Sequence, residues 1–222
     1  MKTSVVIPTR NEEQMIEEIV KGCLPFGDEV LVVDGHSTDK TRELAEKYGA
    51  RVVLDNGQGK GDGLRVALKE AKHDIVVFID ADGSHDPKDI PTMIQPIKEG
   101  KSDLVVGSRM RGGSDELHGD IGKFIRIVGS DIITLSINYR FDVRLTDSQN
   151  GFRAIRRKTG LDIGMTENIF TIEQEMIMKA LKKGYKTSEV PSHEYKRKFG
   201  ESGIVVWKVA HRYVWCLIKN LF

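Results

Sequence analysis

The residues best suited to chemistry in this chain are two carboxylates, Asp80 and Asp82, in the segment Phe78 Ile79 Asp80 Ala81 Asp82 Gly83 Ser84 His85. They close a short apolar run, and two carboxylates one residue apart at the end of a buried strand are costly unless a cation sits between them. Alternate residues of an extended segment point the same way, so the pair can share a hard cation such as Mg²⁺ or Mn²⁺. Asp-x-Asp is a common pattern, and its meaning depends on what stands at the neighbouring strand ends. One such end is Pro8 Thr9 Arg10 Asn11 Glu12 Glu13, where a proline stops the strand and polar residues open a helix. Another is Val33 Asp34 Gly35 His36 Ser37 Thr38 Asp39; here Asp34 can accept from a base N–H or a ribose hydroxyl, and Ser37 or Asp39 can cap the next helix. A third, Gln58 Gly59 Lys60 Gly61 Asp62 Gly63, can turn backbone N–H groups and one lysine toward an anion. It lacks the Ser or Thr after the lysine of a Walker-type loop, and it does not follow the first strand as a dinucleotide fingerprint does.

The elements that must position these residues alternate along the chain. Ser4–Pro8, Glu29–Val33, Arg51–Leu54, Asp74–Ile79 and Asp103–Val106 read as strands, and Glu12–Cys23, Asp39–Tyr48, Gly61–Ala71 and Pro87–Lys98 as helices. Such alternation predicts an α/β fold with a mainly parallel sheet flanked by helices, whose ligand lies beyond the carboxyl ends of the strands. After Val106 the rhythm changes: a Gly-rich loop over 107–122, a helix near Lys123–Ile137, the segment Asp147–Ala154, a helix around Thr171–Lys183, the stretch Tyr185–Pro191, a basic loop and a terminal helix.

With 222 residues the chain suits one well-cored domain plus a short C-terminal appendage, set at 1–202 and 203–222. Lys+Arg 34 against Asp+Glu 33 leaves net charge +1, which gives no overall basic field for nucleic acid. Cys23 and Cys216 stand in apolar surroundings without metal-type spacing, and small buried side chains are expected there. The N-terminus has no signal-peptide pattern, and no stretch reaches the roughly 18 to 20 apolar residues of a spanning helix. A cytoplasmic protein is expected.

Together these tips resemble the family 2 glycosyltransferases of the GT-A fold, in particular the polyprenyl (dolichyl) phosphate sugar synthases. The resemblance runs through Val5–Glu13, Asp34–Thr41, Gly59 Lys60 Gly61, Asp80 Ala81 Asp82 and Val106 Gly107 Ser108 Arg109. It continues through Asp147–Ala154, Glu173 Gln174 Glu175, and Glu189 Val190 Pro191 with Arg197 and Ser202. It implies a Rossmann-like GT-A sandwich in which Pro8, Thr9, Arg10, Asn11, Glu12, Asp34, Gly59 and Lys60 bind the nucleotide sugar. Asp80, Ala81 and Asp82 also lie at the nucleotide sugar, with Asp80 and Asp82 holding the metal on the diphosphate, Arg109 lies near an acceptor phosphate with Ser202 on the acceptor side, and Arg197 grips the donor from a mobile loop.

Glycosyl transfer needs charge stabilised on the leaving diphosphate, which Asp80, Asp82 and their cation, with Lys60 and Arg197, would supply. A phosphate acceptor is already anionic at neutral pH and needs only positioning, for which Arg109 and Arg126 are candidates. A hydroxyl acceptor needs a carboxylate base, and Asp147, Glu173 or Glu175 could serve. Arg153 and Arg156 read as surface arginines. No covalent nucleophile is evident, so single displacement with inversion is expected. From Ile204 to Phe222, Lys208, His211, Arg212 and Lys219 fall on one side of a helix and leave a broad apolar face with Trp207 at its start and Trp215 near the basic side. Such a helix can lie in a membrane interface or pack on the sheet. The expectation is thus a peripheral enzyme on the cytoplasmic face that moves a monosaccharide from a GDP- or UDP-sugar to a polyprenyl phosphate. Transfer to a hydroxyl of a glycan or lipid-linked sugar is the alternative. A silent sugar-nucleotide-binding module is a third reading, against which the intact Asp80 Ala81 Asp82 argues.

Overall fold

The computed structural model describes residues 1–117, 121–199 and 206–222, the last segment with its side chains from residue 209. Strands β1 (Thr3–Thr9), β2 (Glu29–Asp34), β3 (Arg51–Leu54), β4 (Ile75–Phe78), β5 (Leu104–Ser108), β6 (Arg153–Arg156) and β7 (Thr187–Pro191) form one sheet in the order β3-β2-β1-β4-β6-β5-β7. All neighbours run parallel except β6, which lies antiparallel between β4 and β5. The helices are α1 (Ile16–Cys23), α2 (Thr41–Lys47), α3 (Lys60–Glu70), α4 (Ile90–Lys98), α5 (Arg109–Gly112), α6 (Ile121–Phe141), α7 (Arg157–Asp162), α8 (Ile172–Lys182) and α9 (Val206–Leu221).

Side-chain alternation splits the apolar strands between two cores. Val6, Leu31, Val76 and Leu104 pack on one face with α3, α6 and α8, while Val5, Ile7, Val30, Val32, Val77 and Val105 pack on the other with α1 and α4. Cys23 and Cys216 are buried, free thiols. Cys216 brings α9 into the first core, where Gln174 Nε2 also donates to the Tyr213 carbonyl at 2.8 Å.

Two readings change. The stretch Asp147–Ala154, to which the sequence pattern assigned no element, ends in strand β6; only four residues long and paired on both edges, it carries too little alternation to stand out. Arg153 is fully buried rather than on the surface. Its guanidinium donates to the carbonyls of Asn150 (2.6 Å), Ser148 (2.8 Å) and Glu173, so three backbone acceptors satisfy the buried charge.

Helix α6 buries only Ile133, Thr134 and Ile137. Ile121, Phe124, Val128, Ile132, Leu135 and Tyr139, spaced three or four residues apart, form an exposed apolar stripe along it. Beside it α9 exposes Val214, Trp215 and Ile218, with the exposed Phe222 just after it, and Arg140 joins the two helices by donating to the Leu221 carbonyl at 2.9 Å. Among the described residues no helix is long and apolar enough to cross a membrane.

Candidate active site

A cleft of about 470 Å³ runs over the carboxyl ends of β3, β2, β1 and β4. Its floor takes Asp55 and Gly57 from beyond β3, Val33 of β2 and Gly35 just after it, Pro8 and Thr9 of β1 with Arg10 and Glu12 after it, and Asp80, Ala81 and Asp82 from just beyond β4. Gly59, Lys60 and Gly63 of α3, with Ile169, Phe170 and Arg197, complete the walls. Ten of the residues expected in a nucleotide or metal site therefore meet here. Val33, Gly35, Asp55, Gly57, Gly63, Ile169 and Phe170 were not among those expected; glycines and apolar residues carry no chemical signal, and Asp55 in Asp55 Asn56 Gly57 reads as a turn.

The two β4 carboxylates each face a cation. Lys60 Nζ lies 2.8 Å from Asp80 Oδ1 and 3.1 Å from Glu173 Oε1, and Arg197 NH2 lies 3.1 Å from Asp82 Oδ2. Asp82 Oδ1 also accepts from the Ser84 N–H at 3.0 Å. Burial opposes the Lys60 charge, but Asp80 and Glu173 outweigh it and raise its pKa. Burial likewise works against the Asp80 carboxylate, and Lys60 reverses the effect and holds it low. At the adjacent tip, burial and then the Asp82 charge push the Glu12 carboxyl up to about 7. Negative charge is thus crowded where β1 and β4 end.

Glycine makes this approach possible. A Cβ on Gly151 would stand 2.7 Å from Asp80 Oδ2 and 2.8 Å from Lys60 Nζ, and one on Gly61 would stand 2.2 Å from the Glu167 carbonyl oxygen. The first keeps room for the Asp80–Lys60 pair, and the second lets the start of α3 press against the chain before α8.

Other expected residues are held elsewhere. Asp34 is fully buried and accepts from the Ser37 N–H (2.8 Å) and hydroxyl (2.5 Å). Asn11, in a left-handed conformation, receives the Thr38 N–H at 2.8 Å and gives its own N–H to Ser37 Oγ at 2.8 Å, so these side chains lace the β1 and β2 tips together. Neither lines the cleft. Arg109 is clasped by Asp147 (Nε to Oδ2 2.7 Å, NH2 to Oδ1 3.0 Å) and reaches Glu194 at 3.2 Å. Glu175 accepts from the N–H groups of Thr166 and Glu167 and pairs with Lys179 at 2.8 Å. Arg109, Asp147 and Glu175 lie outside the cleft, as does Arg126 on α6. Ser202 and the Trp207 and Lys208 side chains fall outside the described residues.

A seven-stranded, mainly parallel sheet with a paired-carboxylate cleft at its strand ends defines a GT-A glycosyltransferase. The sequence model of glycosyl transferase family 2 matches residues 4–163, and the chain belongs to that family. It is 36% identical over 198 residues to the glycosyltransferase AglJ of Haloferax volcanii, covering 88% of this chain and 64% of that protein's length. It is 30% identical over 202 residues to a dolichyl-phosphate hexose transferase of the same organism, covering 90% and 85% of the two chains. Among solved structures it resembles glucosyl-3-phosphoglycerate synthase from Mycobacterium tuberculosis in complex with Mn²⁺, UDP and glucosyl-3-phosphoglycerate. That likeness has a TM-score of 0.78 at 23% identity, over 99% of this chain and 80% of that one.

Proposed function

We propose that this glycosyltransferase moves a monosaccharide, with inversion, from a nucleoside diphosphate sugar to a polyprenyl-type lipid phosphate, and that it works with Mg²⁺ or Mn²⁺. The observation that carries the reading is the cleft itself: a trough across four strand ends that finishes at Asp80 and Asp82, with Lys60 and Arg197 beside them. Among the described residues no cluster of three or more His, Cys, Asp or Glu side chains could hold a metal. Two hard carboxylates suit a cation that takes its other ligands from phosphate oxygens and water, so the donor set fits Mg²⁺ or Mn²⁺. Bound there, the cation offsets negative charge on the leaving diphosphate. Lys60 and Arg197 add fixed positive charge at the same place. The Mn²⁺ and UDP of the mycobacterial synthase complex support this reading.

The lipid acceptor is supported by the name of the dolichyl-phosphate relative and by the surface formed by α6 and α9. A phosphate acceptor needs no base, which accords with Asp147 and Glu175 being committed to other partners. A hydroxyl acceptor is the second reading, favoured by Glu173: burial raises its pKa, and Oε2 has no hydrogen-bond partner among the described residues. Product analysis tests the choice. Protein and Mn²⁺ are incubated with a panel of UDP- and GDP-sugars, with and without polyprenyl phosphate. A sugar-linked lipid phosphate is expected; donor hydrolysis that ignores the lipid would move the hydroxyl acceptor to first place.

The apolar stripes of α6 and α9, rimmed by Arg140, Arg212 and Lys219, suit a helix pair lying in the headgroup region of an anionic bilayer, with residues 203–222 serving as part of that anchor. The double substitution Leu135→Asp and Tyr139→Asp alters two exposed side chains and should leave the fold intact. Co-sedimentation with anionic vesicles should weaken by at least about tenfold; unchanged binding would remove α6 from the membrane surface.

A further inference from the structure

The direction of the cleft locates the nucleobase, and with it a choice of donor. If the diphosphate sits at Asp80 and Asp82, as the proposed function requires, the nucleoside extends across β1 and β2 toward β3. Three strand spacings of about 4.8 Å separate the ends of that path, comparable with an extended nucleoside diphosphate. At the far end stands Asp55, with a side chain only 5% exposed. Its Oδ1 accepts from the Gly57 N–H at 2.7 Å and lies 3.6 Å from His36 Nε2, whereas no hydrogen bond reaches Oδ2 among the described residues. A Cβ on Gly35 or Gly63 would lie 3.6 or 3.5 Å from Oδ2. Both residues line the cleft, so neither fills that end with a side chain; Arg10, Val33 and His36 flank it, and one carboxylate stands at its back.

The neighbouring carboxylates are engaged. Asp34 is occupied by Ser37, and Asp62 accepts from the Asn56 N–H at 2.7 Å and the Asn56 side-chain amide at 3.0 Å. Asp55 alone of these three keeps an oxygen for a ligand. We propose that Asp55 reads the donor base and selects a guanine nucleotide. A carboxylate accepts and never donates. Guanine presents two adjacent donors, N1–H and the 2-amino group, which match Oδ2 and the second acceptor site of Oδ1, the first being taken by the Gly57 N–H. Uracil presents one N–H flanked by two carbonyl oxygens, each repelled by the carboxylate. Adenine and cytosine pair their amino group with a ring acceptor. Burial raises the Asp55 pKa, with the Asp62 and Asp34 charges adding to it and the Gly57 N–H and His36 opposing it.

Calorimetry of the full chain with Mn²⁺ and GDP, UDP, ADP or CDP tests the assignment. GDP should bind at least about tenfold more tightly than UDP, the size of discrimination that a bidentate base contact provides. Asp55→Asn keeps an oxygen for the Gly57 N–H and should bring the GDP-to-UDP ratio close to one, weakening GDP and tightening UDP as the repulsion of its carbonyl oxygens is removed. UDP binding as tight as GDP, or a ratio unchanged in the variant, overturns the role of Asp55 and leaves the proposed function standing. Failure of every nucleotide to bind overturns both. The wild-type ratio alone decides the base preference should the variant not fold.

Discussion

Asp82→Ala is expected to fold and to lose sugar transfer by at least about two to three orders of magnitude in kcat/KM, the loss typical when one charge-stabilising group leaves a closed site. The side chain is an oxygen donor at the end of the cleft, held by the Ser84 N–H and facing Arg197. Removing it deletes one of the two proposed metal ligands, and the distinguishing readout is binding. In the wild type, Mn²⁺ should tighten nucleotide affinity strongly, whereas in Asp82→Ala that dependence should nearly vanish. Arg197, released from its partner, is then available to the diphosphate, so metal-free binding should not weaken. A variant that transfers sugar at the wild-type rate would exclude Asp82 from the site.

Asp147→Ala should act on the whole fold. Asp147 and Arg109 are both buried, and their two hydrogen bonds leave the guanidinium without solvent to replace its partner. Removing one member of such a pair costs about 3–5 kcal/mol, a fall in Tm of roughly 6–20 °C for a chain of this size. Burial acts to raise the Asp147 pKa, and the Arg109 charge and hydrogen bonds override it and hold the carboxyl below its usual range. The folded value lies under the unfolded one, near 3.9. The stabilisation is therefore complete above about pH 4 and is lost as pH falls through the folded value. Urea unfolding from pH 3 to 7 checks this: the wild type should lose the contribution at the acid end, and Asp147→Asn should lack that part of the slope. A catalytic base would show the reverse, a large loss of kcat with unchanged stability.

Much of this arrangement is visible in the residues. Val5, Val6 and Ile7 alternate between two apolar cores as their spacing predicts, and Arg51–Leu54 is a strand with the bounds expected of it. The carboxylates at the β4 tip stand where an apolar run meets Asp80 and Asp82, so local pattern and site coincide. Asp34 and Asp55 show where pattern stops informing. Both end strands, yet one turns back to Ser37 and the other keeps an oxygen toward the cleft. That choice depends on rotamers and on side-chain-free neighbours such as Gly35 and Gly63, which carry no charge or periodicity. Arg109 and Asp147 are equally plain as charges, but only the antiparallel entry of β6 brings them together. A helix near Lys123–Ile137 is legible in the sequence; which of its apolar residues the core leaves uncovered is not.

The placement of β6 also orders the assembly of the chain. β4 is complete by residue 78, but the partner for its second edge is Arg153–Arg156, and β5 waits for the same segment. A growing chain that has emerged only as far as residue 150 carries the edge of Ile75 Val76 Val77 Phe78 uncovered, an apolar template of the kind that recruits other chains. Docking of β6 closes both edges in one event and couples the two ends of the sheet, so productive folding is deferred until most of the polypeptide has left the ribosome.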